Sequence, residues 1–158
     1  MRVYYSTSPI DKSVSDEYEH SLFLAGPTPR SDDVESWRPT ALQILEELEY
    51  DGLVWVPEGE PGDPKFCGDY IHQVKWEKWG LTTCKIIVFW VPRSIPDMPA
   101  FTTNVEFGRY VDSGRAIYGR PDEAVKCGYL DWLYMDAIHC QPYNDLNKIL
   151  KAAIRIRD

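Results

Sequence analysis

An α/β fold built on a parallel sheet is the architecture this sequence predicts. Short apolar strands alternate with amphipathic helices along the chain. The strongest strand, Lys85–Val91 (KIIVFWV), is apolar on both faces, as a central parallel strand covered from each side must be. Turn-forming Gly and Pro follow the strands at Gly26-Pro27, Pro57 and Pro92.

Taken in order, Arg2–Ser6 is a candidate edge strand, and His20–Ala25 reads as a buried strand. Thr28–Asp33 is a polar loop. A helix is expected over Ser36–Glu49, where Ala41, Ile44, Leu45 and Leu48 recur at i, i+3, i+4 and i+7. Pro39 is tolerated there because it falls in the first turn, and Asp51-Gly52 ends the element. Leu53–Val56 is the next strand, and Glu58–Gly68 is a loop. Asp69 is placed to cap a helix that runs to about Trp79 and stops at Gly80. After the central strand, Pro92–Phe101 carries three prolines and is a loop. Thr102 or Thr103 opens a helix that ends near Ser113-Gly114. Ala116–Tyr118 is a short strand, Asp122–Lys126 a helical turn, and Asn144 the cap of a last helix striped by Leu146, Ile149, Leu150, Ala153 and Ile154. Right-handed crossovers then give a compact single domain over residues 1–158, a Rossmann/flavodoxin-like parallel sheet of four or five strands with helices on both faces.

Charge narrows the partners. Seventeen Lys and Arg against 25 Asp and Glu leave a net charge of −8. Such a surface repels phosphate backbones and anionic membranes, so no nucleic-acid polymer and no membrane is expected as a partner. A small phosphorylated ligand in a local basic pocket is still allowed. Met1–Ile10 has no apolar core of a signal peptide, and the longest apolar run, Ile86–Val91, is far short of a membrane span, which points to the cytoplasm. Cys67, Cys84, Cys127 and Cys140 are well separated, read as reduced thiols rather than metal ligands; a metal site joining Cys67 and His72 is the lesser alternative.

Ligands of open α/β sheets sit at the carboxyl ends of the strands, where Gly26–Arg30, Pro57–Asp69 and Pro92–Glu106 would meet. Glu106 is the sharpest candidate there. Thr103-x-x-Glu106 fits a capping box, and the same position near a helix N-terminus suits a nucleophilic carboxylate. Glu77 lies late in its helix, where the dipole disfavours an anion; it is either a solvated partner of Lys75 or Lys78, or a functional acid. Gly26-Pro27-Thr28-Pro29-Arg30 is a strand-ending turn or a ligand loop in which Arg30 meets a phosphate or carboxylate. Trp76, Trp79, Trp90, Phe101 and Phe107 are core aromatics or base-stacking platforms.

Four segments in order carry a resemblance: Ala25-Gly26-Pro27 after the first strand; Tyr70-x-x-Gln73-x-x-Trp76-Glu77 leading into Lys85–Pro92; Thr103-Asn104-Val105-Glu106-Phe107-Gly108; and Gly114-Arg115. With this set, residues 21–135 resemble the nucleoside 2-deoxyribosyltransferase-like proteins. The resemblance implies an enzyme of the N-glycosidic bond that needs neither metal nor organic cofactor. Glu106 would be the nucleophile at C1′, and Glu77 the acid that handles the base. Gly26, Pro27, Arg30, Asp69, Trp76, Thr103 and Asn104 would contact the nucleoside or nucleotide. It also implies a homo-oligomer, for which Tyr129–Tyr134 is a candidate interface, the alternative being an internal helix or strand.

Two departures bear on the substrate. Family members often place a Tyr on the first strand, where this chain has Leu22-Phe23-Leu24, leaving Tyr4 or Tyr5 as substitutes. Transferases often carry an Asp six residues before the nucleophile, where this chain has Ala100. Three functions follow: deoxyribosyl transfer between bases, hydrolysis of a nucleoside or its 5′-monophosphate, and nucleotide binding without turnover.

Overall fold

The computed structural model describes residues 1–62 and 69–157. Residues 63–68 of the expected 58–68 loop, Cys67 among them, lie outside the described residues. Five strands, β1 (Arg2–Tyr5), β2 (Ser21–Ala25), β3 (Leu53–Val56), β4 (Ile86–Trp90) and β5 (Ala116–Gly119), form one sheet in the order β1-β3-β2-β4-β5. Every pairing is parallel. The described α-helices are α1 (Arg38–Glu47), α2 (Tyr70–Thr83), α3 (Phe101–Tyr110), α4 (Gly128–Ile138) and α5 (Leu146–Arg157).

Strand alternation sorts the side chains into two cores. Phe23, Trp55, Ile87, Phe89 and Tyr118 face α2, α3 and α4, where they meet Trp76, Phe107, Leu130 and Tyr134. Leu22, Leu24, Val54, Val88 and Ile117 face α1 and α5, where they meet Ala41, Leu45, Ile149 and Leu150. The helices therefore cover both faces of the expected α/β sheet. Each large apolar side chain buried this completely contributes about 1.5–3 kcal/mol on leaving water. No described helix is long and apolar enough to cross a membrane.

Several elements differ from expectation, each for a local reason. Helix α2 continues through Gly80 to Thr83. A Cβ on Gly80 would lie 2.7 Å from both Phe23 and Trp55 side-chain atoms, so this glycine serves the close approach of helix to sheet rather than ending the helix. Residues Lys12–His20 form a 3-10 segment that no apolar periodicity announces. Asp145, not Asn144, caps α5: its Oδ1 accepts from the Lys148 N–H at 2.8 Å, while Asn144 turns to Asp122. The 129–134 stretch lies in α4, with Leu130 and Tyr134 buried and Tyr129 and Trp132 exposed and stacked at 6.4 Å.

The topology opens a cleft. From β2 the chain first crosses to β3 on one side, then returns over β2 to β4 on the other. Pairing of β2 with β4 runs to Ala25↔Phe89, whereas pairing with β3 stops at Phe23↔Trp55. The strands part at their carboxyl ends, at the switch point where such sheets take ligands.

Candidate active site

A cavity of about 520 Å³ occupies that switch point. The segment between β2 and α1, the first two turns of α2 and the start of α3 form its walls, and both Glu77 and Glu106 line it.

Glu106 reaches the cavity because of how α3 begins. Its N-cap is Ala100, held at φ 60° with no side-chain cap bond. Thr103 is consequently inside the helix and 3% exposed, so the Thr103/Glu106 capping box does not form. Glu106 is half-buried, and no hydrogen bond holds its carboxylate among the described residues. Burial pushes its carboxyl up to about 8; the neighbouring Glu77 charge adds to the rise and Arg38 opposes it.

Glu77 is in the middle of α2 now that the helix extends to Thr83, so the dipole no longer singles it out. Its partner is neither Lys75 nor Lys78 but Gln73, one turn back, whose Nε2 donates to Glu77 Oε1 at 3.0 Å. Burial raises the Glu77 carboxyl, against the Gln73 bond and the charge of Arg38. Gln73 also lines the cavity. Two acids in one part-desolvated space favour a shared proton, which gives one acid and one carboxylate.

The loop after β2 supplies the opposite wall. Gly26 sits at φ 156°, and a Cβ there would lie 2.1 Å from the Trp90 carbonyl oxygen, so only glycine fits. Gly26, Pro27 and Arg30 line the cavity, as does Thr103. Arg30 is exposed, its guanidinium over the Phe101 ring at 5.2 Å. Tyr70 and Phe101, both exposed aromatics, also line the cavity.

Three expected contacts are elsewhere. Trp76 is fully buried among Tyr4, Phe23 and Trp55, at ring distances of 5.6, 6.0 and 5.2 Å. Asp69 caps α2 by accepting from the Ile71 N–H at 2.9 Å. Asn104 is exposed on α3, and its Oδ1 accepts from Arg93. None of the three lines the cavity. The possible tyrosine substitutes are also outside it: β1 is separated from β2 by β3, and the Tyr4 hydroxyl bonds the Pro9 carbonyl and the Asp11 N–H.

One cavity residue had no place in the sequence reading. Arg38, 1% exposed, stands at the first position of α1 and lines the cavity. A cation in a helix's first turn opposes the dipole, which was the available signal. Among the described residues no cluster of His, Cys, Asp and Glu is placed to hold a metal ion, and His72 Nε2 lies 3.3 Å from the Ser8 carbonyl oxygen.

No curated protein matches the chain. Residues 19–124, which contain the cavity's switch-point walls and both glutamates, match the family model described as nucleoside 2-deoxyribosyltransferase like, and the chain belongs to that family.

Proposed function

We propose that this protein cleaves the N-glycosidic bond of a nucleoside or deoxynucleoside and passes the sugar to a second base. The observation that supports it most is the pair of glutamates in one cavity, Glu106 without a hydrogen bond among the described residues and Glu77 steadied by Gln73. In the first step a Glu106 carboxylate oxygen bonds to C1′ as the C1′–N bond breaks. The bonding pair goes to the base nitrogen, which takes a proton from Glu77. Negative charge beneath C1′ stabilises the oxocarbenium-like transition state and then captures it as an ester. In the second step an acceptor base attacks C1′, Glu106 departs as carboxylate, and Glu77 recovers a proton. Two inversions give retention. Burial favours the shared proton on Glu106, so turnover uses the form of the one-proton pair in which that proton has passed to Glu77 and Glu106 is the nucleophilic carboxylate.

Gln73 suits the base end. Its Nε2 is committed to Glu77, leaving Oε1 and one amide hydrogen for a base edge. Tyr70 and Phe101 offer ring faces for stacking. Hydrolysis of a nucleoside 5′-monophosphate is the second reading, favoured by Arg30, a cavity cation with no carboxylate partner among the described residues. A homo-oligomer would draw on the exposed Tyr129–Trp132 pair of α4.

A chromatographic screen tests these readings. Deoxynucleosides, ribonucleosides and their 5′-monophosphates are each incubated with and without a second free base, alongside Glu106→Ala. A new nucleoside formed only with acceptor base is the expected result. Free base released without acceptor, and lost in the variant, selects hydrolysis. Nucleoside binding with no product from the wild type would leave a binding protein and overturn the proposal.

A further inference from the structure

The guanidinium of Arg38 is built into the place where the β2–β3 ladder stops. Its Nε donates to the Leu24 carbonyl at 3.0 Å and its Nη2 to the Gly26 carbonyl at 2.7 Å. Its Nη1 donates to Thr28 Oγ1 at 3.0 Å and to Glu58 Oε1, with a longer contact to the Pro27 carbonyl at 3.4 Å. Thus one side chain satisfies the carbonyls that strand pairing leaves unmet and fixes the 26–28 wall of the cavity. Glu58 is itself held: Ser36 Oγ donates to the same Oε1 at 2.8 Å, and its side chain is 17% exposed.

We propose that Arg38 and Glu58 form a positioning pair for the two cavity glutamates. Arg38 shapes the loop wall and supplies the cation that favours a carboxylate at Glu106, and Glu58 limits how much of that positive field reaches the cavity. Neither residue touches the reacting atoms in this account. The proposal rests on the reading of Glu106 as nucleophile for its functional meaning.

The charge arithmetic supports such a role. The titratable and charged groups that line the cavity are Arg30 from the β2–α1 segment, Arg38 at the start of α1, Tyr70 and Glu77 from α2, and Glu106 from α3. Arg38 is the buried cation among them, and it acts on both glutamates in the direction that favours ionisation. A charge behind low-dielectric walls is weakly screened by salt, so a neighbouring anion sets its net effect. Glu58 holds that position, paired to Arg38 on the side of α1 where Ser36 lies.

The two halves of the pair predict opposite outcomes. Glu58→Gln keeps an oxygen acceptor for Ser36 and Arg38 but removes the anion, leaving the cation uncompensated. Arg38→Met removes the cation and the loop contacts together. The test follows the side-chain carboxyl carbons of Glu106 and Glu77 by ¹³C NMR across pH in glutamate-labelled protein, with Glu106→Gln and Glu77→Gln identifying the signals. Glu58→Gln is expected to move the Glu106 midpoint to lower pH by about half a pH unit or more, and Arg38→Met to move it higher. An unchanged midpoint in folded Glu58→Gln overturns the proposal, as does a shift to higher pH. Should Arg38→Met fail to fold, Glu58→Gln decides alone. Turnover is measured on the same samples. A midpoint shift without any turnover upholds the pair and overturns the nucleophile reading; turnover without a shift does the reverse.

Discussion

Two polar clusters sit at the carboxyl edge of the same sheet, and they are built in opposite ways. Beside β5, Asp131 of α4 accepts from Arg120 through both oxygens, with Nε at 3.1 Å and Nη2 at 2.8 Å, and from the Tyr118 hydroxyl at 2.9 Å. Charge and hydrogen-bonding capacity are matched, and the cluster fastens α4 to the last strand. At the β2/β4 switch point, among the described residues, Glu77 has one amide partner and Glu106 none. Their cation, Arg38, is spent on Glu58 and on carbonyls of the loop. A buried carboxylate without a partner costs stability, so a fold retains one where something else completes it. The satisfied cluster holds structure together; the other, among the described residues, is the one on which the proposed function rests.

That contrast can be broken by substitution. The largest effect is expected from Glu106→Gln, which should lower base release by at least about 10³-fold while far-UV circular dichroism stays that of the wild type. Glu77→Gln should lower it by about 10²–10⁴-fold, with a smaller loss for nucleosides whose base leaves readily without a proton. Because the Glu77 charge raises Glu106, the same variant should move the rising limb of the pH–rate profile to lower pH.

On the satisfied side the signs reverse. Asp131→Ala should cost about 2–3 kcal/mol, a fall of about 4–10 °C in Tm, by stranding Arg120 and Tyr118. Its kcat/KM should stay within about threefold of the wild type. The pH dependence of stability is the most diagnostic of the cavity. Folded Glu106 holds its proton up to about 8, against an ordinary 4.5, so burying it favours the native state below about 4.5 and that contribution is lost as pH rises to about 8. Glutamine imitates the protonated form. Glu106→Gln should therefore match the wild type in Tm near pH 4 and exceed it by about 10 °C or more at pH 8.5, as read by calorimetry.

Much of this arrangement was legible in the sequence. The double-faced apolar run of β4, the heptad-like stripe of α1 and the Gly-Pro end of β2 fix the sheet and its ligand edge, because periodicity and turn chemistry are local properties. Gly80 misled because a glycine's role in packing depends on Phe23 and Trp55, residues distant in the chain. The apparent Thr103 cap failed for a similar reason: Ala100 takes the left-handed cap position, drawing Thr103 into the helix. Trp76 and Asn104 share a motif with Glu77 and Glu106, yet α2 turns Trp76 into the core, and Asn104 is engaged by Arg93. Arg38 escaped notice because its meaning lies in five acceptors gathered from three segments, although a cation against the dipole was visible.

The central claim is that Glu106 becomes covalently attached to the sugar. Intact-mass analysis of protein quenched rapidly during incubation with a deoxynucleoside, followed by peptide mapping, tests it most directly. The account predicts a deoxyribosyl adduct on the peptide that contains Glu106, absent in Glu106→Gln. Base release by the wild type with inversion at C1′ and no adduct, or with an adduct on another residue, would contradict it.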